Sequence, residues 1–199
     1  MKRFTLRSCM LFACLLVATG ASAWDVLLYG KVVDGAMTLY TTAVSGRTCE
    51  YKSNGYWYYA GDDTSWADYN SVTSVTCASE CSSWTGTTLE NIFNGWSNLT
   101  TADLSNLNTS AVTNMSYMFC GCSALTSLDV SSFNTSSVTN MLNVFDGCEK
   151  LTSLDISSFN TGNVTSMRCM FANCTELTAI IVGGEWNTSN VTTGNVIFN

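Results

Sequence analysis

The sequence predicts an α/β solenoid, a right-handed coil that stacks one short strand per turn into a parallel sheet and places short helices opposite it. Phenylalanine returns every 26 residues, at Phe93, Phe119, Phe145 and Phe171. Leucine keeps the same period at Leu99, Leu125, Leu151 and Leu177. Within each repeat, the spacing of apolar residues changes from that of a strand to that of a helix. Together, these three observations predict the fold class.

Residues 1–23 have the pattern of a signal peptide. Basic residues open the segment, an apolar run follows at 10–18, and Ala21-Ser22-Ala23 forms a small-residue cleavage site. The apolar run is too short to span a bilayer, and no second apolar stretch follows it. We therefore expect cleavage near Ala23-Trp24 and a mature chain that is secreted or displayed at the cell surface.

Residues 24–71 do not follow the repeat and predict a small β-rich N-terminal cap. Strand-like runs flank Asp34-Gly35, which is a strong hairpin signal, and Asn54-Gly55 marks a second hairpin. Such a cap would cover the core and the strand edge that the first turn of a solenoid otherwise leaves open.

Residues 72–199 contain five copies of the repeat, which begin at Val72, Leu99, Leu125, Leu151 and Leu177. In the third copy, Leu128 and Val130 alternate with polar residues, which predicts a strand. The next apolar residues have the spacing of one face of a short helix: Met141, Val144, Phe145 and Cys148. Each predicted helix ends at a residue that tolerates a left-handed backbone, namely Gly95, Gly121, Gly147 or Asn173.

The repeat resembles a known family. Its strand, Leu-x-x-Leu-x-Val, and the continuation Asp-Val-Ser-Ser-Phe-Asn-Thr-Ser-x-Val-Thr-Asn-Met are similar to the BspA-like leucine-rich-repeat surface proteins. The resemblance covers residues 72–199, loosely before residue 99. It implies a leucine-rich-repeat coil and a secreted or cell-surface protein that adheres to host matrix or to another cell surface.

Polar residues at the outward strand positions form the candidate binding face. They are Thr101, Asp103, Ser105, Ser127, Asp129, Ser131, Ser153, Asp155 and Ser157. We expect this extended surface to recognise a protein or glycan ligand. Its three aspartates would stack one strand apart, and a calcium ion could offset their repulsion. Solvation and hydrogen bonds from the neighbouring serines are the simpler explanation, so we predict no metal and no cofactor.

Charge and composition exclude several classes of function. The chain has 8 Lys+Arg against 15 Asp+Glu, a net charge of −7, and therefore repels nucleic acid. It contains no histidine, which removes the usual general base and most nucleophile–base pairs. We predict no catalytic residue and no enzymatic activity.

Six of the 10 cysteines carry a specific prediction, and they form two groups. Cys122, Cys148 and Cys174 share one repeat position and are predicted to pack in the core. Cys49, Cys77 and Cys81 are the candidates for a disulfide, with the pairing left open.

The leading hypothesis is a binding or adhesion module. The alternative is a structural solenoid that associates end to end, because an open coil exposes a sheet edge. Ice binding is a third hypothesis, suggested by two threonine ladders: Thr109, Thr135, Thr161 and Thr188, and Thr113, Thr139, Thr165 and Thr192. For these threonines, roles in turns and caps are the simpler interpretation.

Overall fold

The computed structural model describes residues 28–33, 35–40, 49–51, 57–59, 71–192 and 196–198, and these contain nine strands. The strands are β1 (Leu28–Val33), β2 (Ala36–Tyr40), β3 (Cys49–Tyr51), β4 (Trp57–Tyr59), β5 (Ser74–Cys77), β6 (Thr101–Asp103), β7 (Ser127–Asp129), β8 (Ser153–Ile156) and β9 (Ala179–Val182). A short 3₁₀ helix, Ser79–Ser83, follows β5. The predicted signal peptide lies outside the described residues.

The N-terminal strands form antiparallel pairs. β1 pairs with β2 across Gly35, so the hairpin predicted at Asp34-Gly35 is confirmed. β3 pairs with β1, and β4 pairs with β3, although the turn predicted at Asn54-Gly55 lies outside the described residues. β2 then pairs in parallel with β5. These strands therefore extend the first coil's sheet, and the domain boundary after residue 71 stays a prediction.

The later strands stack as successive turns of a parallel solenoid. Ser74 of β5 lies opposite Thr101 of β6, which lies opposite Ser127 of β7. β8 and β9 pair in the same way. β7 lies against β8, but these two strands belong to separate hydrogen-bonded ladders. The solenoid predicted from the repeat is confirmed as a parallel-strand coil of about four turns.

The predicted short helices are not formed, and residues 142–147 are a run of turns. The amides of Met141 and Phe145 donate to carbonyls of the next coil, at Ser166 and Met170. Asn143 and Gly147 have positive φ angles of 54° and 74°, which an α-helix cannot contain. The α/β prediction fails here because the neighbouring coil supplies the hydrogen bonds that a helix would make internally.

The apolar positions of this run are nevertheless buried, and the left-handed positions are confirmed. Gly95, Gly121 and Gly147 have φ angles of 77°, 72° and 74°, and Asn173 has 55°. A second left-handed position in each coil was not predicted: Asn91, Tyr117, Asn143 and Cys169. Each of these four turns therefore contains two left-handed residues four positions apart.

The core consists of stacked columns of apolar residues, and two of these columns repeat one residue type. The rings of Phe93, Phe119, Phe145, Phe171 and Phe198 stack in order, with centroids 5.4 to 5.9 Å apart. Leu99, Leu125 and Leu151 are fully buried beside them. Because successive coils place inward residues in register, the outward residues also form columns, and these columns make the candidate face.

Candidate binding face

The candidate binding face lies where the sequence places it. All nine of its residues are exposed, and they project from β6, β7 and β8 and the turns after them. Thr101 is in register with Ser127, and Asp103 with Asp129. Neighbouring coils repeat at roughly the spacing of parallel strands, about 4.8 Å. The face is therefore three parallel columns of hydroxyl and carboxylate groups.

Each aspartate of the face is held by the serine two residues later. Oδ1 of Asp103 accepts hydrogen bonds from the backbone amide (3.1 Å) and the hydroxyl (2.7 Å) of Ser105. The amides of Ser131 and Ser157 donate in the same way, at 2.9 Å each, to Asp129 and Asp155. These turns fix the carboxylates on a surface that is otherwise solvated.

The same bonds set the ionisation of the face. The hydroxyl of Ser105 lowers the pKa of Asp103, and the hydroxyl of Ser157 lowers that of Asp155. The backbone amide of Ser131 does the same for Asp129. The charge of Asp129 acts in the opposite direction on the pKa of both neighbours but is the weaker influence. All three carboxylates are therefore ionised at neutral pH without a cation beside them.

The polar columns end at the last coil. Ala179 and Ile181 of β9 replace the serine and the aspartate, and Gly183 replaces the second serine. A Cβ at Gly183 would collide with the carbonyl oxygen of Ser157. The last coil therefore comes closer to its neighbour than a serine would permit and presents apolar residues where earlier coils present carboxylates.

The threonine ladders tie coils together. Oγ1 of Thr139 donates to the carbonyl of Thr113 (3.1 Å), and Thr165 repeats the bond to Thr139. In the other ladder, Thr135 is buried and its Oγ1 both donates to the carbonyl of Asn160 and accepts from its amide, at 2.8 Å each. Sequence reasoning gave these residues local roles in turns and caps and missed that their partners lie one coil away.

The cysteines occupy the predicted positions. Cys122 and Cys148 are buried, their thiols donate to the carbonyls of Phe93 (3.2 Å) and Phe119 (3.3 Å), and burial raises the pKa of both. Cys77 and Cys81 are buried free thiols that both lie beside Leu39, and the side chain of Cys49 lies outside the described side chains. The disulfide stays a prediction.

The C-terminal end of the coil is apolar. Ile181, Val182, Val196 and Phe198 are 49–60% exposed. Phe171, Leu177 and Phe198 line a groove of about 350 Å³ beside β9. Within the described residues, β9 has a hydrogen-bonded strand on one side only, β8. This end therefore combines a strand edge with apolar surface.

Two further properties concern the described part of the chain. No helix there has the length and hydrophobicity that crossing a bilayer requires. No three His, Cys, Asp or Glu residues there are grouped so that they could hold a metal ion. The aspartate column is accordingly a row of separate carboxylates.

In comparisons with known proteins, the repeat region matches one family model. The family model described as "Mycoplasma protein of unknown function, DUF285" matches residues 87–199. Neither the curated proteins nor the solved structures gave a match. The matched residues span the coils from the turn before Phe93 to the C-terminus, which is more than half of the chain. This chain therefore belongs to the family described as Mycoplasma protein of unknown function, DUF285.

Proposed function

We propose that this protein is a secreted or cell-surface binding module that recognises a protein or glycan ligand through the candidate binding face. The observation that carries the proposal is the fixed array of ionised aspartates, Asp103, Asp129 and Asp155, each held by a serine in the same turn. A ligand pays little ordering cost on a surface whose side chains are already positioned.

The finer assignment rests on the resemblance to the BspA-like leucine-rich-repeat surface proteins. One strand per coil and the Leu-x-x-Leu-x-Val pattern support a leucine-rich-repeat variant, with turns in place of helices. Adhesion to host matrix or to another cell surface is what that resemblance implies. The predicted signal peptide supports delivery of the protein to the cell surface or beyond it.

Binding to a panel of extracellular-matrix proteins and a glycan array tests the proposal. The informative variant is Asp103→Asn with Asp129→Asn, which removes two charges from the face but keeps an oxygen acceptor in each turn. The matched control is Glu149→Gln with Glu176→Gln, which removes two charges from exposed residues outside the face. We expect at least a tenfold weaker affinity for the first variant only. Equal binding by both variants, or no binding by the wild type, contradicts the proposal.

The second candidate function is structural self-association, which the apolar C-terminal end favours. Natural sheet edges are commonly protected by charged residues or proline. β9 is Ala-Ile-Ile-Val, and Ile181 and Val182 are half exposed. Pairing of β9 with a strand of a second copy would bury these residues and the exposed ring of Phe198.

Sedimentation over a range of protein concentrations tests this second candidate. Ile181→Asp continues the aspartate column of the earlier coils and places a charge on the edge strand. Ser189→Asp adds the same charge to an exposed turn of the same coil, away from β9. Self-association that is lost in Ile181→Asp and retained in Ser189→Asp supports the role of the edge. A strict monomer at high concentration removes this candidate.

A further inference from the structure

The first coil differs from the others in the two buried residues that flank the turn after its strand. The second, third and fourth coils carry large apolar pairs there: Leu104 with Leu107, Val130 with Phe133, and Ile156 with Phe159. In the first coil both residues are cysteines. Cys77 ends β5, and Cys81 lies in the 3₁₀ helix Ser79–Ser83.

Both cysteines meet the same residue of β2. Cys77 lies opposite Leu39 in the pairing of β5 with β2, and the thiol of Cys81 donates to the carbonyl of Leu39 at 3.4 Å. A side-chain hydrogen bond between the two thiols raises the pKa of Cys77 and lowers that of Cys81. The short turn that joins them is closed by a bond of 3.0 Å from the amide of Cys81 to the carbonyl of Ala78. The pair therefore sits where β5 meets β2.

The cysteines of the shared repeat position are arranged differently. Cys122, Cys148 and Cys174 contribute one thiol per coil, and each donates to a phenylalanine carbonyl of the preceding coil. Those bonds give each of these thiols its own backbone partner. Cys81 makes the equivalent bond to Leu39, so the first coil is distinguished by having two buried thiols on either side of one short turn.

We propose that Cys77 and Cys81 form a disulfide that joins the end of β5 to the 3₁₀ helix. This assignment selects one pair from three candidate cysteines and does not depend on the proposed binding function. The cross-link would fasten the first coil at the place where the N-terminal strands join the solenoid.

The oxidant is a low-molecular-weight disulfide, such as oxidised glutathione, acting as the reduced chain folds. The Cys81 thiolate attacks one sulfur of the oxidant, forms a mixed disulfide and releases one glutathione thiolate. The Cys77 thiolate then attacks Sγ of Cys81 and releases the second. The two protein thiol protons end on two glutathione molecules. The hydrogen bond from Cys77 lowers the pKa of Cys81, which favours Cys81 as the attacking group.

A protease specific for glutamate separates the two cysteines, because Glu80 lies between them. The full chain is refolded in a glutathione redox buffer, its remaining thiols are blocked, and it is then digested. Cleavage after Glu50, Glu80 and Glu90 yields fragments 51–80 and 81–90, and places Cys49 in a different fragment. We expect the two fragments to stay joined in most molecules and to separate when a reductant is added.

Two variants complete the test. Cys77→Ser is expected to abolish the joined fragments, whereas Cys148→Ser is expected to retain them. Separation of the wild-type fragments without reductant overturns the proposal. Attachment of fragment 81–90 to the fragment that contains Cys49, or to fragment 91–149, overturns it as well. If Cys77→Ser does not fold, digestion of the wild type with and without reductant decides the matter alone.

Discussion

Replacing Thr135 with valine should destabilise the coil strongly for a change that preserves side-chain shape. The Thr135 side chain is 1% exposed, and its hydroxyl makes two bonds of 2.8 Å, to the carbonyl and from the amide of Asn160. Valine fills nearly the same volume but leaves both backbone groups of Asn160 without that partner. The perturbation is therefore a loss of hydrogen bonds with little loss of packing.

The magnitude follows from those two bonds. A buried donor or acceptor left without a partner costs about 1–3 kcal/mol. Asn160 is half-buried, so water can partly replace the hydroxyl, and we expect a loss of roughly 2–4 kcal/mol in the free energy of unfolding. For a chain of this size, that loss lowers the thermal midpoint by roughly 4–16 °C. Urea unfolding followed by circular dichroism measures the free energy, and calorimetry measures the midpoint.

Two controls isolate the hydroxyl. Thr135→Ser keeps the oxygen and removes one methyl group, and should cost about 1 kcal/mol. Thr188 is the same repeat position in the last copy but is exposed, so Thr188→Val should change stability by less than about 0.5 kcal/mol. A serine variant as unstable as the valine variant, or a valine variant as stable as the wild type, would refute the reasoning.

Three further predictions concern the backbone, the thiols and the carboxylates. Gly147→Ala should lower the free energy of unfolding by about 1–2 kcal/mol, because φ is +74° there and the added Cβ would lie 3.4 Å from Gly121. The control is Gly184→Ala, where an added Cβ meets no neighbouring atom. Equal thermal midpoints for the two variants would contradict the argument. Burial raises the pKa of Cys120 to about 11, so its alkylation rate should increase roughly tenfold per pH unit between pH 8 and 10. Cys122 and Cys148 are buried and should stay unmodified in the folded protein. Peptide mass mapping measures the extent of alkylation at each cysteine, and fast labelling of Cys120 at pH 8 would count against the prediction. The pKa values of Asp103, Asp129 and Asp155 are lowered in the folded protein, so these residues contribute stability at a pH above their unfolded pKa of about 3.9. That stability is lost as the pH falls through the folded pKa values. A variant with asparagine at all three positions should therefore show a flatter acid-unfolding profile below about pH 4, and an unchanged profile would be evidence against the Asp–Ser turns.

Much of the architecture was predictable because each repeat position has a single chemical requirement. A stacked core needs the same inward residue in every coil, and Phe119 and Phe145 show this directly. Gly121 and Asn173 share one position because few residues accept a left-handed backbone. The candidate face follows from the same logic, since Asp129, between the inward Leu128 and Val130, must point outward.

The helix prediction failed because spacing alone does not specify a hydrogen-bond partner. Met141, Val144, Phe145 and Cys148 are buried as a helix face would be, but the amides of Met141 and Phe145 donate to the next coil. Asn143 was the one residue in this run whose type could have indicated the unpredicted left-handed position. An asparagine can adopt a positive φ, but Tyr117 and Cys169 occupy the same position in other coils and gave no such indication.

The sequence by itself determined the period, the inward and outward columns, and the left-handed closing residue of each coil, because these depend on side-chain chemistry repeated at fixed intervals. Tertiary structure alone decided where the backbone and hydroxyl hydrogen bonds go, that β7 and β8 fall in separate ladders, and that Cys77 meets Cys81. Those outcomes depend on which groups the neighbouring coil brings within a few ångströms, and one repeat does not contain that information.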